Sequence, residues 1–168
     1  MKSSTPEIVI NTGPVIALVA ATGKLDWLAS LYQNVWVPGE VDEELSAGGP
    51  LAPEPALVRA TWETIRRLPP SRGLPAFLTR ELDRGEASVI HTALERGIAT
   101  VAIDEKSGRR VARLHGLKVT GSLGILVRAR KEGVIASLDQ SIRRMRSQGI
   151  WLSEDLIRLA LAEVGECQ

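Results

Sequence analysis

Cysteine is nearly missing from this chain: of 168 residues only Cys167 carries a thiol, one position from the end. That excludes an internal disulfide and a cysteine-built zinc site, and with only His91 and His115 to supply imidazole, zinc held by histidine is disfavoured as well. A reducing, cytoplasmic compartment is the expectation. Long apolar runs are missing too. The longest, around Pro14 to Ala21, falls far below the roughly 18 to 20 residues that cross a bilayer, and no basic-then-apolar leader opens the chain. No membrane partner is expected. The length and a hydrophobic content of 44% suit one packed domain over residues 1–168.

Several catalytic signatures are also lacking. No Gly-x-Gly-x-x-Gly follows the first apolar run, where only Gly13 stands, and no Gly-x-x-x-x-Gly-Lys-Ser/Thr occurs. Dinucleotide binding and P-loop hydrolysis are therefore disfavoured. Gly121-Ser122-Leu123-Gly124 lacks the spacing of a nucleophile elbow, and neither histidine has a serine or acidic partner in sequence, which argues against triad hydrolysis. Net charge of one sign is absent overall, at +1, but the distribution is uneven: residues 101–150 carry eleven of the 21 basic side chains and four of the 20 acidic ones. A cationic surface gains affinity for a polyanion by displacing its counterions, so this stretch reads either as a phosphate-facing surface or as solvated helix faces.

What is present is an alternation of short β-type runs and helical segments. Glu7 to Asn11 is a β-branched run ended by Thr-Gly-Pro, and helix formers fill Val15 to Ala21 and Leu25 to Tyr32. Val35 to Val37 reads as a second strand, and Glu40 to Ser46 as a short acidic helix. The Gly- and Pro-dense residues 47–56 read as a loop, and Trp62 to Leu68 as either a strand or a helix end. Asp83 and Gly97 bracket the clearest helix as its N-cap and C-cap. Thr100 to Ile103 then reads as a buried parallel strand, followed by a helix over Glu105 to His115, a strand over Leu117 to Thr120 and a helix over Ser122 to Lys131. Two polar-capped helices, Ser137 to Gln148 and Ser153 to Val164, complete the chain. The pattern predicts an α/β domain with a central, mostly parallel sheet, binding its ligand beyond the carboxyl ends of the strands.

Polar residues gather where strands end and helices begin: Asn11, the cluster Glu40, Asp42, Glu43 and Glu44, then Glu86, and Asp104 with Glu105. Two carboxylates about 5 Å apart repel by on the order of 3 kcal/mol at an effective dielectric near 20, so gathering several favours a hard divalent cation such as Mg²⁺ or Mn²⁺. Such an ion activates water and neutralises charge developing on a phosphate. Glu86 also stands three residues after Asp83, where a capping box alone would explain it. At 100° per residue, however, Ile90 and Ala93 each fall within about 40° of Glu86, so Glu86 shares the core-facing side while His91 points elsewhere. On the acidic helix, Glu44 and Asp42 flank the Val41/Leu45 side about equally, and geometry does not choose between them.

Four stretches, IVINTGPVIALVAATGKLDWL, VWVPGEVDEEL, LDRGEASVIHTALERG and VAIDEKSGRRVARLHGLKVTGSLGILVRARKEG, occur in order within residues 8–133. Together they resemble the PIN domain, and in particular a prokaryotic branch of PIN-like nucleic-acid-binding proteins related to the VapC-type toxin ribonucleases. The resemblance implies a three-layer sandwich, with the core motifs in residues 8–133 and the C-terminal helices over residues 137–164. It also implies an Mg²⁺- or Mn²⁺-dependent ribonuclease that acts on RNA, forms a homodimer and pairs with a cognate antitoxin. It assigns catalysis and metal binding to Asn11, Glu44, Glu86 and Asp104, thereby choosing Glu44 over Asp42. Arg109 and Arg110 are expected to position the RNA backbone. Asn11 departs from the aspartate of the general pattern, which weakens divalent binding by one charge, and Thr12 beside it offers a hydroxyl to a bound water. Two alternatives are a PIN-like module that binds nucleic acid or protein without cleavage, and a receiver-like phosphotransfer domain. The latter would want acids directly after the first strand, where Asn11-Thr12-Gly13 stands.

Overall fold

The computed structural model describes residues 6–48 and 65–166. Its centre is a five-stranded parallel sheet of β1 (Ile8–Ile10), β2 (Val35–Val37), β3 (Ile65–Arg67), β4 (Thr100–Ala102) and β5 (Lys118–Thr120), in the order β3-β2-β1-β4-β5. Val9 aligns with Trp36 on one side and with Val101 on the other, so β1 is the middle strand and β4 lies next to it. Both are buried on both faces, which is why they read as unbroken apolar runs and not as alternating ones.

Eight α-helices flank the sheet among the described residues: α1 (Thr12–Thr22), α2 (Gly39–Ala47), α3 (Ala76–Thr79), α4 (Arg84–Arg96), α5 (Lys106–Leu114), α6 (Ser122–Lys131), α7 (Leu138–Ser147) and α8 (Glu154–Glu163). The expected caps are in place. Asp83 accepts the Glu86 N–H at 2.8 Å at the start of α4, and Gly97 closes that helix in the left-handed region at φ 67°. Ser137 and Ser153 cap α7 and α8 through their hydroxyls.

The second helical segment expected near the start differs. Within Leu25 to Tyr32 only a tight 3₁₀ stretch, Asp26–Ser30, forms. Trp27 explains it: its indole N–H donates to Thr22 Oγ1 and to the Lys24 carbonyl, and its backbone N–H donates to the Asp26 carboxylate. These local bonds pull the chain into a turn tighter than an α-helix. Of the ambiguous 62–68 segment, Ile65–Arg67 is a strand paired with β2, while Trp62 and most of the predicted 47–56 loop lie outside the described residues.

The strand order places a topological switch between β1 and β4. The crossover through α1 leads to β2 on one side, and that through α5 leads to β5 on the other; with right-handed crossovers the two helices lie on opposite faces of the sheet. Helix α4 packs on β1 and β4 and meets α5, whereas α6 and α7 pack against α1, so the molecule has three layers. A crevice consequently opens beyond the carboxyl ends of β1 and β4. Asn11 directly follows β1, and Asp104 follows β4 after Ile103. No helix among the described residues is long and apolar enough to cross a membrane.

Candidate active site

Asn11 is the N-cap of α1, yet its side chain makes no capping bond. An N-cap amide ordinarily accepts an N–H two or three residues on, and the third residue of this helix, Pro14, has none. Asn11 is 4% exposed, and its Oδ1 is buried without a hydrogen-bond partner. A buried carbonyl oxygen left unpaired costs about 1–3 kcal/mol, so this one stands ready for a donor or a cation.

Around it the carboxylates approach from several elements, and the close approach depends on glycine. A Cβ built at Gly85, in the first turn of α4, would lie 2.7 Å from both Glu44 carboxylate oxygens. One at Gly108, in the first turn of α5, would lie 2.7 Å from Glu86 Oε1. At Gly121, the N-cap of α6, it would lie 2.6 Å from Asp104 Oδ1, and at Gly13, in the first turn of α1, 3.3 Å from Glu105 Oε1 and 3.9 Å from Asp104 Oδ2. Each carboxylate thus rests against a bare glycine at the start of a helix. There the partial positive charge of the helix N-terminus favours an anion.

Hydrogen bonds fix the individual groups. Thr12 donates its hydroxyl to Glu44 Oε2, tying α1 to α2 across the crevice. Asp104 Oδ1 accepts the Ser122 N–H at 2.8 Å and the Ser122 hydroxyl at 3.3 Å, so Asp104 caps α6 from across the sheet edge and not the helix that follows it. Ser107 donates to Glu86 Oε1 at 3.3 Å. Burial raises the Glu86 carboxyl above its ordinary range, and the Asp83 charge adds to that. Burial likewise raises Glu105, with the charges of Asp104, Asp83 and Glu44 acting in the same direction. These acids share one electrostatic field.

The arrangement suits a hard cation that keeps some of its own water. Among the described residues no three His, Cys, Asp or Glu side chains already converge as a metal-holding group. Mg²⁺ commonly takes only one or two carboxylates beside its waters, and an unpaired Asn11 oxygen, with Glu44 bonded to the next residue and Glu105 facing the one after, fits that requirement.

The structure places Asn11, Glu44, Glu86 and Asp104 toward the carboxyl ends of β1 and β4, linked through pairwise contacts that also involve Glu105, Thr12 and Ser107. Of the remaining acids on α2, Asp42 turns to Arg67 and Glu43 approaches Arg84 at 3.8 Å. Glu40 is buried and accepts the Ser71 N–H at 2.7 Å. His91 stays outside the crevice, 4.0 Å from Glu95. The two arginines expected to meet RNA are both engaged. Arg109 donates to the Ile103 carbonyl at 2.9 Å with its Nη1 packed beside Asp104, and burial lowers its pKa; Arg110 pairs with Glu81.

Nor is the basic 101–150 stretch one surface. It is divided between α5 on one face of the sheet and α6 and α7 on the other, and Arg128, Arg130, Lys131, Arg143 and Arg146 each pair with an acid. Acids from the chain's last stretch, Glu154, Glu163 and Glu166, supply three of those partners.

The family model described as the PIN domain matches residues 7–166, which takes in every strand and helix above. No match is found among curated proteins.

Proposed function

The chain belongs to the PIN domain family, and from that membership and the crevice acids we propose that it is a divalent-metal-dependent endoribonuclease. PIN domains are generally nucleases, and the parallel sheet flanked by helices is the corresponding nuclease-type fold. The observation that carries the proposal to this chain is the buried, unpartnered Asn11 Oδ1, on the residue before Thr12, which bonds Glu44, and two before Gly13, which faces Glu105 and Asp104.

In this reading Asn11, Glu44, Glu86 and Asp104 hold Mg²⁺ or Mn²⁺, and Glu105 supplies the negative charge that an aspartate at position 11 would have brought. The ion, when bound, lowers the pKa of water and offsets charge on the phosphodiester. Thr12 orients Glu44 through its hydroxyl, and Ser107 orients Glu86. Ser122 holds one Asp104 oxygen, leaving Oδ2 on the side of Gly13. Arg109, beside Asp104, is a positioning residue that fixes the end of β4; Arg110 reaches RNA only by leaving Glu81. The proposal further takes residues 1–168 as one domain that forms a homodimer and serves as the toxin of a toxin–antitoxin pair, held in check by a cognate antitoxin.

A binding module without cleavage is the second reading, and the amide at position 11 is what favours it. The discriminating experiment is cleavage of labelled single-stranded RNA in Mn²⁺, Mg²⁺ or EDTA by wild type, Glu86→Gln and Asn11→Asp. Metal-dependent cleavage by wild type that falls at least about a hundredfold in Glu86→Gln is expected, in line with loss of a group acting in the transition state. Activity found only in Asn11→Asp assigns the native chain to the binding module. Silence of all three in every metal sinks the nuclease reading.

A further inference from the structure

The aromatic residues of this chain are few, and its single phenylalanine is not in the core. Phe77, on α3, is 54% exposed and meets the ring of the exposed His115 with centroids 5.3 Å apart at 46°. The pair has a fixed relation to the crevice. The chain from Phe77 to Asp83 and the helix from Glu105 to His115 run side by side. Asp83 and Glu105 sense each other's charge at the crevice end, Glu81 and Arg110 pair midway, and Phe77 and His115 meet at the far end. At 1.5 Å per helical residue the aromatic pair lies about 15 Å along α5 from Glu105. Arg80 and Arg113, close in sequence to the two rings, are exposed and have no acidic partner among the described residues.

Exposed rings with exposed arginines close to them in sequence make the kind of platform on which single-stranded nucleic acid lays its bases. Stacking supplies affinity without reading sequence, and the cations track the backbone. We propose that Phe77 and His115 form a base-stacking subsite for single-stranded RNA, a few nucleotides from the crevice acids. The proposal rests on the RNA-cleaving reading for its ligand. It adds where the strand leaves the crevice, along the Glu81–Arg110 seam, and why substrate length matters: an oligonucleotide too short to reach from the crevice to Phe77 forfeits the stacking contribution.

The test uses the full chain in EDTA, where the strand is bound but not cut, with fluorescein-labelled oligoadenylate titrated by anisotropy. Removing one stacked base contact costs about 1–3 kcal/mol, so Phe77→Ala is expected to weaken binding about 5- to 150-fold. Its slope of log affinity against log salt should match wild type, because stacking releases no counterions, while Arg113→Gln should flatten that slope. Phe77→Trp should restore affinity, and its indole emission should be quenched as RNA binds. Trp151→Ala, which removes an aromatic 82% exposed elsewhere on the surface, should leave binding unchanged. Wild-type affinity in Phe77→Ala overturns the subsite while leaving the nuclease reading intact. A change of oligomeric mass in Phe77→Ala by light scattering would instead assign the rings to a protein contact and overturn it too. Failure of wild type to bind RNA in EDTA overturns the subsite, while the nuclease reading stands or falls on cleavage in Mn²⁺ or Mg²⁺.

Discussion

Glycine decides how closely the acids gather. Gly108 shows this best: a Cβ there would meet Glu86 Oε1 at 2.7 Å and Ile103 Cγ2 at 2.8 Å, and of the two the carboxylate is freer to move. Gly108→Ala gains about 1 kcal/mol of helix propensity and loses about 1–3 kcal/mol to crowding, so stability should fall by at most about 2 kcal/mol. The position of Glu86 should change more. Mn²⁺ affinity measured by calorimetry is expected to fall about tenfold or more. Gly124→Ala, crowded to 2.7 Å by Thr120 Oγ1 and touching no acid, should retain wild-type affinity. Equal affinity in both variants would mean that the Gly108 contact does not place Glu86. None of this packing was legible in the sequence, where Thr-Gly-Pro, Arg-Gly-Glu, Ser-Gly-Arg and Thr-Gly-Ser look like ordinary turn and helix-start residues. Asn11 and Asp104 were legible because strand ends in a parallel sheet can be located from apolar runs. Glu44 was not separable from Asp42 by helical angle, since what distinguishes them is the tertiary neighbour: Thr12 and Gly85 for one, Arg67 for the other.

At the level of elements, caps were the most readable feature, because an N-cap or C-cap depends on residues within one turn of each other. Contacts made across long sequence separations were not. Glu166, beyond the end of α8, caps α7 from 27 residues away: its carboxylate accepts the Asp139 N–H at 2.9 Å, the Leu138 N–H at 3.1 Å and the Ser137 hydroxyl at 3.0 Å, and Arg130 pairs with it at 2.5 Å. Burial alone would raise its pKa, but the backbone N–H groups and Arg130 outweigh it and bring the value to about 2. A carboxyl lowered from its unfolded range near 4.3 contributes stability that is complete above that range and is lost as pH falls toward about 2. Glu166→Gln keeps the shape and removes the charge. Urea denaturation should find it about 1 kcal/mol less stable than wild type at pH 7, a figure kept modest because water reaches part of the group, with the gap closing between pH 5 and about 2. A gap that persists undiminished at pH 2.5 would show that the charge is not what the cap contributes.

Seen as a whole, the molecule gathers acids that raise one another's pKa at the carboxyl end of its sheet. The crevice acids sit at the topological switch, where α1 and α5 diverge, and the fold accepts their repulsion because four helix starts and the hydroxyls of Thr12, Ser107 and Ser122 offset it in part. A divalent cation that binds the native crevice and not the unfolded chain must therefore stabilise the whole domain. At a hundredfold excess over its dissociation constant it contributes about 2.7 kcal/mol, which for a domain of this size raises Tm by about 5–10 °C. Differential scanning calorimetry in Mn²⁺ against EDTA reads this directly and requires no substrate, so it separates metal binding from catalysis. Asn11→Asp should enlarge the shift, since it would add a carboxylate where only an amide oxygen would face a bound ion, while its melting temperature in EDTA should fall from the added repulsion. Asp104→Asn should reverse both signs, lowering the Mn²⁺ shift and raising the EDTA melting temperature, apart from whatever the Ser122 cap loses. Opposite movements of the two temperatures in the two variants are the signature of a site that stores repulsion for a cation; variants that shift both temperatures together would mark Asn11 and Asp104 as structural caps, and the crevice would then owe its acids to helix starts alone.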